Sequence, residues 1–230
     1  MARARTSDVA KDKALRKTSK AAGAIAQARQ TKSKPGARRH HDANVENILG
    51  SAATLFAEKS FGLASIREIA ARANISFPRI YYYLRNKEEL LYLVAKRGIE
   101  RSINSYEELA ARVTDPSEKL RIFIENHFSA STSSPAEAKV LIQETSKLSE
   151  PYLSEIRELE RQYTETCRTL LTEVARAHGK ELSRARSRIL VSLLFGALNS
   201  MGNWYIPERD EPHLREITDE LYRMFSGAVK

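Results

Sequence analysis

The side chains best placed to do chemistry lie between Ser65 and Leu90, in SIREIAARANISFPRIYYYLRNKEEL. Phe77, Pro78, Arg79, Tyr81, Tyr82 and Tyr83 crowd rings, hydroxyls and a guanidinium onto one short segment of it. Groups of this kind suit nucleic acid, because rings pack on thymine methyls and sugars while hydroxyls donate to phosphates. Partly buried packing would be the plainer explanation for an isolated tyrosine. Catalysis has less support. His40, His41, His127, His178 and His213 show no metal-ligand spacing beyond the adjacent pair, and Cys167 has no partner visible in sequence. No phosphate-binding glycine loop occurs. No catalytic residue, metal or cofactor is therefore expected.

The elements that must position these groups are short helices. Val45, Ile48, Leu49, Ala52, Leu55 and Phe56 follow i, i+3, i+4, i+7 spacing, which predicts a helix from near Ala43, with Gly62 as its stop. Ser65 and Glu68 form a capping box at the start of a second helix. Asn74-Ile75-Ser76 makes the turn, Asn tolerating a left-handed backbone, and Ser76 is placed to cap a third helix with Pro78 in its first turn. At 100° per residue Ile80 and Leu84 share the inward face of that helix, and Pro78 and Tyr82 lie opposite. Two short helices across a tight turn form a helix-turn-helix. Asn86 and Glu89 start a long fourth helix. Asp115-Pro116 and Ser134-Pro135 start two more, at roughly 116–131 and 136–148, and further helices cover roughly 151–178, 183–205 and 213–228. The expected fold is all-α with nine helices, and no strand.

The formal charge of +9 has an uneven location. Residues 1–42 carry twelve Lys/Arg and three Asp/Glu, and the remaining residues carry 26 of each sign, so the whole excess belongs to the N-terminal segment. With Val9, Leu15 and Ile25 as its main large apolar groups, that segment is expected to be a disordered basic tail. It reads either as a solubilising leader or as an arm adding phosphate contacts. No apolar stretch follows the basic start and none approaches the length of a membrane helix, so neither a secretory signal nor a membrane partner is expected. The lone cysteine fits a reducing, cytoplasmic location.

Asn74-Ile75-Ser76, Ile80-Tyr81-Tyr82-Tyr83-Leu84 and Asn86-Lys87-Glu88-Glu89-Leu90 resemble the N-terminal DNA-binding domain of TetR-family transcriptional regulators. Asn74 stands where that pattern has glycine, Leu84 where it has phenylalanine, and Tyr83 where histidine is commoner. The resemblance implies a nine-helix TetR-like fold divided into a tail (1–42), a helix-turn-helix domain (43–91) and a helical ligand-binding and dimerisation domain (92–230). It places Phe77, Pro78, Arg79, Tyr82 and Tyr83 in the major groove, Tyr81 and Lys87 on phosphate, Arg67 at the groove edge, and Ser65 on phosphate, at the cap, or both. Arg79 could read guanine, its fork donating to O6 and N7, or could contact phosphate instead.

The resemblance also implies a homodimer through the last two helices. Ile189, Leu190, Leu193, Leu194, Ala197, Leu198 and Met201 form an apolar stripe that serves either as that interface or as internal core. Leu193 to Tyr205 is similar to the ending of a branch that responds to fatty-acid, steroid-catabolic or aromatic acyl-CoA thioesters. Asn126, His127, Gln143, Tyr163 and Asn199 are candidate effector contacts, and Trp204 either lines a cavity mouth or plugs the core. The expectation is a ligand-responsive regulator, by family habit a repressor, that binds a palindromic double-stranded DNA operator and is released by a small hydrophobic or acyl-CoA-type effector. The rival readings are a sequence-blind DNA-packaging protein led by the tail and, more remotely, a helical enzyme.

Overall fold

The structure, a computed structural model, describes residues 35–210 and 213–229. The predicted disordered tail lies outside the described residues up to residue 34; from Pro35 the chain is helical, eight residues ahead of the expected start at Ala43. In chain order the α-helices are α1 (Pro35–Leu63), α2 (Ile66–Arg72), α3 (Phe77–Ile80), α4 (Lys87–Ala110), α5 (Pro116–Ser133), α6 (Pro135–Gln143), α7 (Tyr152–Ala177), α8 (Arg184–Trp204), α9 (Pro207–Asp210) and α10 (Leu214–Val229). The nine expected helices are all present. The single-turn α9 and a 3-10 turn at Thr145–Lys147 were not foreseen, and no strand occurs among the described residues. No described helix is long and apolar enough to cross a membrane.

The caps explain where most helices begin. Ser65 and Glu68 make the reciprocal capping box of α2, Asn86 accepts from the Glu89 N–H at 2.7 Å, Asp115 accepts from Ser117 and Glu118, and Ser183 caps α8. Gly179, with φ 69°, ends α7 as expected. Three expectations fail locally. Ser76 makes no capping hydrogen bond, and α3 is one α-turn followed by i→i+3 bonds from Tyr82 and Tyr83, so it ends before Leu84. Ser134 makes no cap either; its hydroxyl instead accepts from Arg101 of α4. The break in α1 falls at Ser60, with φ 66° and ψ 158°, two residues before the predicted glycine stop. Nothing in local sequence asks for that conformation.

Residues from Asn47 onward cluster as one compact unit, and the expected boundary between residues 91 and 92 falls inside α4. Helix α5 is central: α4, α6, α7, α8 and α10 all pack on it, through fully buried Leu120, Phe123, Ile124 and Phe128. In the N-terminal part Ile48, Leu49, Ala52, Leu55 and Phe56 bury one face of α1, and Ile69, Ile80 and Leu84 complete a small core. The Asn47 amide donates to the Ala73 carbonyl at 2.7 Å, and Arg72 forks onto Glu58, so α2 is tied to α1 at its far end.

The backbone of Ser60 sits in a region that only glycine enters without strain, at a cost of about 1–3 kcal/mol. Ser60→Gly should therefore raise the unfolding free energy by about 1 kcal/mol, less than the full strain because glycine also loosens the unfolded chain. Ser60→Val should lower it. Urea unfolding followed by far-UV circular dichroism measures both, and a less stable glycine variant would show the kink to be unstrained.

Candidate functional site

The third helix presents the surface that its periodicity predicts. Ile80 and Leu84 are buried, while Phe77, Pro78, Arg79, Tyr81 and Tyr82 are exposed and Tyr83 is half-buried. The rings brace one another edge to face: Phe77 against Tyr81 at 5.5 Å, and Tyr82 against Tyr83 at 5.3 Å. Arg67 of α2 lies over the Phe77 ring at 5.2 Å, joining the two helices of the motif through a cation–π contact. Arg79 is exposed and makes no ion pair among the described residues. The result is a pre-organised aromatic surface carrying two guanidinium groups.

Ser65 takes the capping alternative, and Lys87, expected on phosphate, is engaged within the protein. Ser65 uses its N–H and hydroxyl on Glu68, at 2.9 and 2.8 Å. Lys59, 2.7 Å from the same carboxylate, together with Ser65 holds Glu68 down at about 2. Lys87 has partners inside the protein. Its ammonium donates to the carbonyls of Phe61 (2.8 Å), Ala64 (3.0 Å) and Gly62 (3.3 Å), and it lies over the Phe61 ring at 4.6 Å. An ammonium has three donors, and all three are engaged. Lys87 closes the end of α1 that Ser60 breaks, a partnership across 23–26 residues that local sequence does not reveal.

The effector candidates divide. Asn126, His127, Tyr163 and Asn199 come together in the core, whereas Gln143 is exposed at the end of α6 and Trp204 is 44% exposed. Trp204 therefore plugs nothing; its neighbour Tyr205 packs on Phe128 at 4.9 Å instead. Asn126 donates to the Ser102 carbonyl of α4 at 2.8 Å, and Asn199 hydrogen-bonds the His127 imidazole. Burial pushes His127 down to about 4, against the Asn199 bond, and pushes the Tyr163 phenol up. Phe123 and Phe195 wall the cluster, Phe123 at 4.7 Å from Tyr163 and Phe195 at 5.4 Å from His127. The sequence reading missed both, although each stands four residues before a candidate on its own helix: Phe123 before His127, Phe195 before Asn199. On the α4/α7 side a groove of about 410 Å³ has Tyr106 and Leu170 on it, with Lys119, Arg161, Glu165 and Glu173 around them, and Tyr106 touches Phe123 at 5.3 Å.

The apolar stripe of α8 also divides. Leu190, Leu194, Leu198 and Met201 are buried in the core and Ala197 is half-buried, while Ile189 and Leu193 are 55% and 58% exposed. Core membership is thus the outcome for four of the seven, because a helix with apolar residues around most of its circumference serves two surfaces at once. Gly196 lies on the open side, with nothing within 4 Å of where a Cβ would stand.

Comparison with known proteins follows this division of the chain. Residues 48–94 match the family model described as bacterial regulatory proteins, tetR family, and residues 113–228 match the tetracyclin repressor-like C-terminal domain. The transcriptional activator FasR of Mycolicibacterium smegmatis is 26% identical over 175 residues, covering 76% of this chain and 78% of FasR. A TetR-family regulator from Bordetella parapertussis is 18% identical with a TM-score of 0.72, covering 79% of this chain and 93% of its own. AibR, solved in complex with isovaleryl coenzyme A and operator DNA, is 20% identical with a TM-score of 0.68, over 79% of this chain and 97% of its own. The last two likenesses speak to the fold.

The position of Lys87 gives a test of its role. Lys87→Met should destabilise the DNA-free protein by about 2 kcal/mol, because three carbonyl oxygens lose charged donors. A side chain serving phosphate alone would leave the unfolding midpoint of the free protein unchanged.

Proposed function

The chain belongs to the tetR family of bacterial regulatory proteins and carries that family's helix-turn-helix DNA-binding domain, and we propose that it acts as a ligand-switched homodimer on a palindromic operator. The observation that carries the reading is the exposed, braced surface of Phe77, Arg79, Tyr81 and Tyr82, backed by buried Ile80 and Leu84. One such unit spans only a few base pairs, so two copies on a palindrome supply the specificity. The exposed side of α8, with Ile189, Leu193 and the unobstructed Gly196, supports that pairing, since small residues let helices approach closely. Bound across a promoter in the cytoplasm, the dimer represses by occupying the polymerase's site.

The effector enters the C-terminal core around Tyr163 and His127. A small hydrophobic compound or an acyl-CoA thioester fits this reading: the aromatic walls suit an acyl chain, and Lys119 and Arg161 at the groove offer cations to phosphates. The likeness of fold to AibR points the same way. For a tenfold loss of DNA affinity the effector must prefer the non-binding state by about 1.4 kcal/mol.

Selection of bound sites from random DNA tests the reading. A reproducible palindrome is expected, and sequence-blind binding that fades with salt overturns it. Arg79→Ala should relax the preference at one position of each half-site, at a cost of about 1–3 kcal/mol for the preferred base; an unchanged preference assigns Arg79 to phosphate.

Leu193→Asp should yield a folded monomer with weakened palindrome binding, measured by sedimentation equilibrium and gel shift. A dimer that survives this change would move the interface elsewhere.

A further inference from the structure

We propose that the core is built to accept an effector through an uncharged hydrogen-bonding oxygen, a carbonyl or hydroxyl on an apolar body, and that Tyr163 and His127 are the residues that read it. The inference rests on the ligand-switched reading above and narrows its chemistry.

Two polar atoms in one cluster lack a well-formed hydrogen bond. Tyr163 is 5% exposed, and the Asn126 amide approaches its Oη without closing a bond of ordinary geometry; Nδ1 of His127 is likewise buried without a well-formed bond. Their rings lie nearly parallel, 17° apart with centroids at 5.8 Å, so both groups belong to one locality between α5 and α7. The neighbouring amides answer the pair only in part. Asn126 commits its Nδ2 to the Ser102 carbonyl, and Asn199 bonds the imidazole. Buried polar groups in native proteins almost always find a partner, so two under-bonded groups side by side imply a guest that brings one. His127, Phe195 and Asn199 are only half-buried, so the cluster lies close to the surface on the α8 side.

The charge of that guest follows from its surroundings. The groups acting electrostatically on Tyr163 are Cys167 of α7 and Tyr106 of α4, both uncharged, burial pushing the thiol up to about 12. None of the groups acting on His127 is charged, and burial keeps the imidazole neutral. A carboxylate placed here would lose its hydration and meet no cation, an unfavourable exchange. A carbonyl oxygen has two lone pairs; it accepts from the Tyr163 hydroxyl and, in the tautomer with hydrogen on Nδ1, from His127 as well. The pair therefore favours an ester, thioester, ketone or alcohol over the free acid of the same chain length.

A matched series on the full-length protein tests this: methyl octanoate, octanol, octane and octanoic acid, followed by thermal unfolding over a range of concentrations. At neutral pH the ester and the alcohol should bind on the order of tenfold or more tighter than octane or the octanoate ion, judged by the shift in melting temperature. Octanoic acid should begin to stabilise the protein only as pH falls to the acid's own pKa, where its uncharged form appears. Tyr163→Phe should remove the preference of ester over octane within the same variant, and His127→Phe should weaken it. Equal stabilisation by octanoate at neutral pH, or an undiminished ester preference in both variants, overturns the proposal. So does a protein that selects a palindrome but responds to no member of the series, its under-bonded groups then holding water alone. Failure to select any palindrome is a separate result and removes the ligand-switched regulator reading itself.

Discussion

At the broken end of α1, one cation and one buried carboxylate satisfy backbone groups that the kink at Ser60 leaves without helical partners. The Lys87 ammonium takes the carbonyls of Phe61, Gly62 and Ala64, while Glu144, 6% exposed, accepts the Phe61 N–H at 2.7 Å and is itself paired with Lys147. The two charges come from different parts of the chain: Lys87 from the first turn of α4, Glu144 from the turn between α6 and α7. Buried polar groups left unpaired cost about 1–3 kcal/mol each, so the strained backbone persists because both partners are present. The orientation of α2 and α3 depends on this junction, since they follow it directly in the chain.

The same α6–α7 turn and the first turn of α7 hold the start of α4 at further points. Ser149 donates its N–H to Glu88 at 2.6 Å, Tyr152 stacks on Tyr92 at 4.5 Å, and Tyr92 donates its hydroxyl to Glu155. Farther along α4, Arg97 and Arg101 both meet Glu137 of α6, the latter at 3.1 Å, with Arg97 and Glu137 largely buried. Exposed pairs such as Lys59–Glu68 add little stability of their own. The buried ones have greater consequence, because removing one partner strands the other's charge.

What the sequence disclosed, and what it withheld, divides along the range of the interactions. Caps at Ser65, Asn86, Asp115 and Ser183, the left-handed turn residue Asn74 and the inward anchors Ile80 and Leu84 are all decided within about four residues, and periodicity and cap chemistry reach that far. The backbone just after the Ser60 kink is bonded to Glu144, 83 residues from Phe61, a partner that the glycine two positions later could not signal. The partners of Lys87 were hidden for a related reason. Its place in a family motif suggested phosphate, but its donors are taken by an element more than twenty residues earlier. The α8 stripe was read as one surface because spacing shows that a helix is apolar, and cannot show that Leu194 enters the core while Leu193 faces outward. The effector candidates were half legible: buried Asn126 and Tyr163 sit at inward positions of α5 and α7, whereas Gln143 and Trp204 occupy helix ends where inward and outward are decided by the next turn.

On the proposed reading, the effector's influence on the DNA-facing surface must run through α4, and the geometry makes that route short. Asn126, beside the Tyr163 hydroxyl, is bonded to the α4 backbone at Ser102, and Ser102 lies about 22 Å along the helix from Lys87. A guest that draws Asn126 or Tyr163 toward itself therefore acts on α4 near its far end. A tilt of about 5° there moves the Lys87 end by about 2 Å, within the range of helix shifts seen in switching proteins. The Lys87 end is also where three carbonyls and a strained residue meet, so a displacement of that size is not absorbed by a soft contact. It either breaks the Lys87 bonds or carries α1, α2 and α3 with it. In a dimer the second outcome changes the spacing of two reading surfaces at once. A rigid palindrome registers such a change in spacing more sharply than it would the loss of one side-chain contact.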